Sequence, residues 1–238
     1  MSLARRRVDP EWLDDLPPDD PQALGSRRDL ARLNRVMMQA GAMARLLRPL
    51  KGMRGTPRIL ELGSGDGSFM LRVARMLARR VPSAEVMLLD RGAATMHATL
   101  SGFRQIGWRA TPVESDALDY LRTTPQVDAI CANLFLHHFD DAPLTQLLSQ
   151  AARCTRLFAA CEPRRDAVSL AASRLVGAIG CNAVTRHDAV VSVRAGFRDA
   201  ELSRLWPPAS GWVLRESRVG PFTHGFSAQW NGEPHASL

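Results

Sequence analysis

Short apolar runs alternate with amphipathic stretches from Arg58 onward, and this alternation predicts the fold. The apolar runs that have the length and composition of buried strands are 58–63, 84–90, 109–115, 127–133 and 156–162. The stretches between them that have helical periodicity are 69–80, 93–106, 117–123 and 141–154. Strands that alternate with helices are typical of a parallel sheet covered on both faces. The pattern therefore predicts a doubly wound α/β domain.

The C-terminal part of the chain has a different pattern. After a further predicted helix over 167–179, the apolar stretches 212–219 and 222–230 are separated only by Gly220-Pro221. Such a short connection favours an antiparallel hairpin. We therefore expect an α/β fold whose mostly parallel, seven-stranded sheet ends in a C-terminal antiparallel hairpin.

The segment before the first strand is predicted to be a leader and a helical cap. Residues 1–26 are rich in Pro and Asp, which favours an extended, partly ordered chain. A helix is predicted to start at Ser26 as its N-cap and to run towards Pro49. Its apolar positions form one continuous face, and they are Leu30, Leu33, Met37, Ala40, Ala44 and Leu47. The helix either packs on the domain or covers an active-site mouth. We expect a boundary between 1–52 and a main domain over 53–238.

Composition and charge narrow the classes of protein. With 238 residues, 45% of them hydrophobic, the chain fits one globular domain with an appendage. No apolar run reaches the roughly 20 residues of a membrane span, and no apolar segment follows the N-terminal arginines, so we expect a cytoplasmic protein. The net charge of +7 comes almost entirely from arginines dispersed along the chain, a distribution that suits small anionic ligands as well as RNA. A nucleic-acid partner is therefore an alternative that we do not favour. The four cysteines lack metal-site spacing and are predicted to be reduced packing residues.

A glycine-rich loop follows the first predicted strand. The sequence ILELGSGDGSF places Gly63, Gly65 and Gly67 at alternate positions between a strand and a helix. Glycines there allow a tight turn and the close approach of a ligand, and the helix N-terminus favours an anionic group. In a doubly wound sheet this turn is where a nucleotide cofactor binds. The G-x-G-x-x-G spacing of dinucleotide-binding loops is not met, because the third small position is Ser68.

The pattern E-x-G-x-G-x-G, with Glu61 before the first glycine, resembles motif I of class I S-adenosylmethionine-dependent methyltransferases. Three further features occur in the order that this family has. Asp90 ends the second predicted strand, Ser115-Asp116-Ala117 end the third, and VDAICANLFLHHF covers the fourth. The resemblance covers about residues 56–162 and the hairpin. It implies a Rossmann-like fold and S-adenosyl-L-methionine as cofactor. The cofactor-binding residues that it implies are Glu61, Gly63, Ser64, Gly65, Gly67, Asp90, Arg91, Asp116, Ala117 and Asn133.

The resemblance assigns separate parts of the cofactor to these residues. It implies that Glu61 interacts near the methionine amino group, that Asp90 accepts the ribose hydroxyls, and that Asp116 lies beside the adenine amino group. Each acid also has a structural alternative: Glu61 as a strand-end cap, Asp90 as a turn residue and Asp116 as a helix N-cap.

The reacting end is predicted at the end of the fourth strand, where Asn133 is followed by His137 and His138. A histidine can take the proton of a hydroxyl acceptor, so His137 is a candidate base, with packing as its alternative. His138 is a candidate substrate contact. The Asn/Asp-Pro-Pro-aromatic motif typical of methyltransferases that act on exocyclic amines is absent. We expect no metal, because Asp128 comes too early in its strand and Asp140-Asp141 begin the next helix.

Residues 182–208 form a long insertion before the hairpin and are predicted to lie on the substrate side. The candidate substrate contacts there are Asn182, Arg186 and Arg194, and His187, beside Asp188, is a second candidate base. The alternative is a solvated helix that ends at Gly196. The segment and the tail also resemble small methyltransferases associated with type III polyketide pathways, which implies a phenolic or quinol-like acceptor. We therefore expect a small-molecule methyltransferase acting on a hydroxyl or ring carbon, with an RNA-modifying enzyme or a catalytically silent cofactor-binding protein as alternatives.

Overall fold

A single seven-stranded sheet organises the chain in the computed structural model, which describes residues 3–17, 19–36, 38–53, 55–92 and 96–232. Its strand order is β3-β2-β1-β4-β5-β7-β6. The strands are β1 (Arg58–Leu62), β2 (Glu85–Asp90), β3 (Arg109–Glu114), β4 (Ala129–Asn133), β5 (Leu157–Pro163), β6 (Trp212–Val219) and β7 (Thr223–Trp230). Pairing is parallel from β3 to β5 and antiparallel from β5 through β7 to β6. The predicted fold class and the predicted hairpin are confirmed.

Helices connect the strands at the predicted places. They are α1 (Trp12–Asp15), α2 (Pro21–Val36), α3 (Gln39–Leu46), α4 (Ser68–Leu77), α5 (His97–Gln105), α6 (Ala117–Thr123), α7 (Asp141–Cys154), α8 (Ala167–Leu175), α9 (Ala183–Ala195) and α10 (Glu201–Leu205). Three 3₁₀ turns cover Arg48–Gly52, Leu136–His138 and Val176–Ile179. The bounds of α6 and α7 are those predicted. The start predicted for the helix at 93–106 falls partly on residues outside the described part. None of the described helices is long and apolar enough to cross a membrane.

Two apolar layers cover the faces of the sheet. One contains α3, α4 and α5 packed on alternate strand residues such as Ile59 and Ala159. The other contains α6 and α7 packed on residues such as Leu60 and Phe158. Alternate residues of a strand point to opposite faces, so a strand buried on both faces needs a continuous apolar run. All seven residues of β5 are buried accordingly.

The N-terminal helix differs from its prediction. It begins at Pro21, and Ser26 lies buried inside it instead of capping it. The Asp20 carboxylate accepts hydrogen bonds from the N–H groups of Gln22 and Ala23, at 2.7 and 3.3 Å. Asp followed by Pro at the first helical position is a stronger start signal than the later serine. The expectation of an extended chain up to residue 26 is therefore wrong.

The predicted continuous helix up to Pro49 is also wrong, because α2 ends at Val36 and α3 begins at Gln39. Met38 between them has a left-handed backbone, with φ of 52°. Of the predicted apolar face, Ala40, Ala44 and Leu47 are buried, Leu30 and Leu33 are half-buried, and Met37 lies outside the described residues. Helix α2 buries Ser26 and Asp29 instead, which bind Thr185 of α9. A polar contact to a distant helix is not visible in local periodicity.

The leader is held against the domain by hydrogen bonds. The Arg6 guanidinium donates to the carbonyls of Ala195 and Phe139, both at 2.9 Å, and to Asp141. The Arg7 N–H donates to the carbonyl of Arg194 at 3.1 Å. These contacts bring α1 to the edge of the sheet where the parallel strands end, which is the edge of the candidate active site.

Candidate active site

The glycine loop between β1 and α4 has the backbone that its sequence predicts. Gly63, Gly65 and Gly67 all have positive φ angles, of 66°, 54° and 68°. A Cβ on Gly63 would lie 2.3 Å from the Phe135 ring, and one on Gly67 would lie 2.8 Å from Leu88. A Cβ on Gly65 would meet no atom within 4 Å. Gly63 and Gly67 are therefore required by packing, whereas Gly65 borders open space that a ligand can fill.

Three polar atoms around this loop are buried without a partner. They are Oε2 of Glu61, Oγ of Ser64 and Oδ1 of Asn133. Glu61 is only 2% exposed, and its burial, reinforced by Asp66 and Asp90, raises the pKa of its carboxyl well above the usual range. A buried polar group without a hydrogen bond costs free energy, and a ligand that supplies donors removes that cost. The three atoms therefore fit a polar, amine-bearing cofactor bound at the loop.

Asp90 at the end of β2 connects this strand to the loop. Its Oδ2 accepts a hydrogen bond from the Gly65 N–H at 2.7 Å, and its Oδ1 accepts one from the Gly92 N–H at 3.0 Å. A carboxylate has about four acceptor positions, so two are left for a ligand. Asp90 makes the turn contacts that its structural alternative predicts, and its remaining acceptor positions are compatible with hydrogen bonds from the ribose hydroxyls.

Asp116 caps α6, as its structural alternative predicted. Its Oδ1 accepts hydrogen bonds from the N–H groups of Leu118 and Asp119, at 2.8 and 3.2 Å. Its Oδ2 pairs with the exposed guanidinium of Arg91, and Ala117 begins the helix as a buried residue. Burial raises the pKa of Asp116, but the hydrogen bonds from Arg91 and the backbone outweigh it and lower that pKa. Arg91 and Asp116 thus lie side by side at the carboxyl ends of β2 and β3.

His137 forms a buried pair with Glu162, a residue that the sequence analysis missed. The His137 Nδ1 lies 2.8 Å from Oε2 of Glu162, and both side chains are almost fully buried. Glu162 Oε1 accepts hydrogen bonds from the N–H groups of Phe135 and Leu136, at 3.1 and 3.0 Å. A carboxylate fixed in this way orients the imidazole. The position of Glu162 at the end of a predicted strand was the one available signal.

The other nitrogen of His137 faces Glu11 from the leader, which the sequence analysis also missed. Its Nε2 lies 3.4 Å from Oε1 of Glu11, and that oxygen also accepts a hydrogen bond from the Ser192 hydroxyl. Burial disfavours the imidazolium, but the two carboxylates outweigh it and raise the pKa of His137 to about 9. Nothing in the local sequence around Glu11 indicates this contact.

His138 lies beside this pair. Its ring centroid is 4.3 Å from that of His137, and its Nδ1 lies 3.5 Å from Oδ2 of Asp14. Burial and the neighbouring His137 lower the pKa of His138. Glu11, His137 and His138 offer three ligand atoms within 4.8 Å of one another, so this group has the side chains that a metal ion requires. The expectation of no metal stays a prediction.

The insertion contains α9 and α10, and several predicted residues there have structural partners. Asn182 caps α9 through the Thr185 N–H at 2.9 Å and donates to the Gln22 carbonyl at 2.8 Å. Arg186 is exposed beside Gly177, and Arg194 lies in the last turn of α9. Their predicted contacts with a substrate stay predictions.

His187 contacts the leader. Its Nδ1 lies 2.9 Å from Asp188, and its ring stacks on Trp12 with centroids 4.0 Å apart. Asp188 is buried and accepts the N–H groups of Trp12 and Leu13, at 2.9 and 3.0 Å. His187 is about one-third exposed. The structure therefore brings His187 and His137 to the same leader segment.

Residues 59–157 match the family model described as a methyltransferase domain. This part of the chain, from β1 to the first residue of β5, is therefore similar to a methyltransferase domain. Among curated protein sequences, none matches this chain.

Solved structures share the fold at low sequence identity. The plantazolicin methyltransferase BamL, solved in complex with a triazolic desmethylPZN analog and SAH, superposes with a TM-score of 0.65 at 14% identity, over 92% of this chain and 93% of BamL. The mitomycin 7-O-methyltransferase MmcR gives a TM-score of 0.58 at 18% identity, over 92% of this chain and 60% of MmcR. An O-methyltransferase family protein from Burkholderia thailandensis gives 0.50 at 17% identity, over 92% of this chain and 65% of that protein. At these identities the similarity shows the fold alone.

Proposed function

We propose that this protein transfers the methyl group of S-adenosyl-L-methionine to a hydroxyl of a small phenolic or quinol-like molecule. The observation that carries this proposal is the buried His137–Glu162 pair at the carboxyl ends of β4 and β5. Phe135, two residues before His137, packs against Gly63 of the cofactor loop. The candidate base His137 therefore lies in the same short segment as Phe135, which borders the cofactor loop.

Each cofactor residue has a proposed role that its position supports. Glu61, Ser64 and Asn133 offer unpartnered oxygens for the methionine part, and Gly65 leaves space for the nucleoside. Asp90 and Arg91 lie at the end of β2 for the ribose, and Asp116 and Ala117 at the start of α6 for the adenine. When bound, the cofactor supplies an electrophilic methyl group on a sulfonium.

The chemistry at the reacting end requires an oriented acceptor and a place for its proton. With the cofactor bound, an acceptor oxygen held in line at about 3 Å would take the methyl group and leave S-adenosylhomocysteine, and Nε2 of His137 would accept the hydroxyl proton. Glu162 holds the Nδ1–H and stabilises the resulting imidazolium. Glu11 lies where the acceptor hydroxyl must be, so it has to move away from Nε2 when the acceptor binds.

The substrate side is assigned to the leader and the insertion. His138 lies next to the candidate base, and Arg194 lies in the last turn of α9, the helix that packs against the 3₁₀ turn with both histidines. Asn182 caps the other end of that helix and Arg186 follows in its first turn, and their contacts with Gln22 and Gly177 are compatible with the proposed substrate role. MmcR is by its name an O-methyltransferase, and this agrees with a hydroxyl acceptor.

The test compares His137→Gln with His187→Gln in methyl transfer to a panel of hydroquinones and simple phenols. We expect His137→Gln to lower kcat by about 10²–10⁴, the usual contribution of a positioned base. Affinity for S-adenosylhomocysteine, measured by calorimetry beside NAD as a negative control, should not change. If His187→Gln alone lowers kcat, the base lies in the insertion.

Two further outcomes lead to the alternatives. If both variants keep the full rate, proximity alone drives the transfer, and a ring carbon becomes the favoured acceptor. If the protein binds S-adenosylhomocysteine but methylates RNA alone, the small-molecule proposal is wrong.

A further inference from the structure

A cavity of about 590 Å³ lies beside the end of β5, and arginines line it. We name it the arginine cavity after Arg164, Arg165, Arg198 and Arg218. Arg164 directly follows β5, and Arg218 belongs to β6. The cavity is not part of the glycine loop or of the His137 cluster.

Two of these arginines are committed to structural contacts. Arg165 is fully buried and donates to the carbonyls of Gly196 and Leu3 and to the carboxylate of Glu201. Arg198 pairs with the neighbouring Asp199. These two groups build the wall and fix the leader to it.

The other two have donors to spare. Arg164 is 4% exposed, and only its Nη2 is paired, with Asp166, so that Nε and Nη1 are buried without a partner. Arg218 is exposed, and its side chain makes no hydrogen bond or ion pair within the described ranges. A buried guanidinium with unused N–H groups is costly, and an oxyanion that accepts them removes the cost.

The acidic side chains of the cavity neutralise the arginines only in part, because Asp166 pairs with Arg164 and Asp199 with Arg198, whereas Arg218 is left without a carboxylate among the described residues. Glu216 accepts hydrogen bonds from the Ser203 N–H at 2.6 Å and faces Nε2 of His224 at 2.5 Å. Asp166 caps α8 through the Ser169 N–H at 2.7 Å as well as pairing with Arg164. Glu216 is thus held by groups other than the arginines, and the four arginines exceed the three lining carboxylates in number.

We propose that the arginine cavity binds an oxyanion group, a carboxylate or a phosphate, through Arg164 and Arg218. A guanidinium binds such a group with two parallel N–H donors. The cavity lies at the same end of the sheet as the reacting centre, since Arg164 is two residues after Glu162 and His224 is in register with Glu162. The oxyanion is either a substituent of the methyl acceptor or a separate ligand. The proposal does not depend on the proposed function, because binding is measured without turnover.

The experiment titrates inorganic phosphate by calorimetry into the full-length protein loaded with S-adenosylhomocysteine. We expect Arg218→Gln to weaken phosphate binding about tenfold, as the loss of a charge-assisted contact usually does. The matched control is Arg215→Gln on the same strand, whose side chain lies on the opposite face and lines a different cavity. It removes the same charge and should change affinity less than twofold. Arg164→Gln, with its fold checked by thermal unfolding, should also weaken binding.

Three results would overturn the proposal: wild-type protein that does not bind phosphate, equal affinity in Arg218→Gln, or an equal loss in both Arg218→Gln and Arg215→Gln. The last result would mean that phosphate affinity depends only on the overall positive charge of the protein. The source of the oxyanion follows from kinetics. If added phosphate raises the KM for the acceptor without changing kcat, the cavity binds a substituent of the acceptor. If phosphate does not have this effect, the cavity binds a separate ligand.

Discussion

Three acidic side chains, Asp90, Glu162 and Asp188, each accept hydrogen bonds from two backbone N–H groups around the candidate active site. Each joins segments that are distant in sequence: the loop to β2, the His137 turn to β5, and the leader to α9. Charge-assisted hydrogen bonds to the backbone are among the stronger contacts in proteins. These residues therefore hold the site in position before a ligand binds.

Asp90→Ala tests the cofactor site at one residue. Loss of a charge-assisted contact costs about 1.5–3 kcal/mol, so we expect affinity for S-adenosylhomocysteine to fall roughly tenfold to a hundredfold. Calorimetry measures this, with Asp119→Ala as the control because Asp119 is exposed on α6 and its carboxylate pairs with Arg122 of the same helix. A change of less than twofold in Asp90→Ala would remove Asp90 from the cofactor site.

Glu11→Gln tests the second carboxylate on His137. Glu11 and Glu162 together raise the pKa of His137 to about 9, although burial acts to lower it. His138 lies next to His137 and faces Asp14. A base must be neutral to accept a proton, so we expect the wild-type rate to rise with pH through an alkaline transition. Glu11→Gln removes one of the two carboxylates, and the transition should move to lower pH.

The measurement for Glu11→Gln is kcat/KM from pH 6 to pH 10, with Asp9→Asn as the control, since Asp9 contacts Arg7 in the same leader. An unchanged transition in Glu11→Gln would mean that Glu11 is away from His137 in the working enzyme.

Metal removal tests the cluster of Glu11, His137 and His138. Both ring nitrogens of His137 face carboxylates, and its raised pKa favours a proton there. We therefore expect methyl transfer to survive dialysis against EDTA with less than a twofold loss. A loss of activity that Zn²⁺ or Mn²⁺ restores would show that the three side chains hold a metal.

At the scale of elements, local sequence determines most of what the structure contains between Arg58 and Trp230. The apolar runs and the glycine loop are local patterns, and their strands and turns agree with prediction to within two residues at most ends. The contact of Glu11 with His137 spans 126 positions, and the polar contact of Asp29 with Thr185 spans 156. Such contacts depend on how elements pack, so neither they nor the course of α2 follows from periodicity.

Gly65→Val tests the loop as an element. The substitution places a branched side chain in open space at a φ of 54°, where the bound nucleoside is expected. We expect the variant to fold and to lose affinity for S-adenosylhomocysteine by at least tenfold, measured by calorimetry. Gly55→Val is the matched control, because Gly55 also has a positive φ and no atom within 4 Å of its ideal Cβ. Equal affinity in both variants would mean that the cofactor does not pass Gly65.

At the scale of the whole molecule, several ionisable groups are buried with shifted pKa values in the same direction. Burial raises the pKa of Glu61, and the two carboxylates raise that of His137. Burial also raises the pKa of the Cys161 thiol to about 12. A raised pKa in the folded state means that the folded protein holds protons more tightly than the unfolded chain. Each group therefore makes the free energy of unfolding decrease as pH rises.

The window for His137 lies between its ordinary pKa of 6.5 and its folded value of about 9. Its contribution to stability is complete below pH 6.5 and is lost as pH rises through about 9. We expect the midpoint of urea unfolding to fall across this window in the wild type and to fall less in His137→Gln. His97→Gln is the control, because it removes a histidine from α5, outside the cluster. If the wild type and His137→Gln lose stability equally between pH 6.5 and 9, then His137 is not held as an imidazolium between Glu11 and Glu162, and its Nε2 is free to accept a proton at neutral pH.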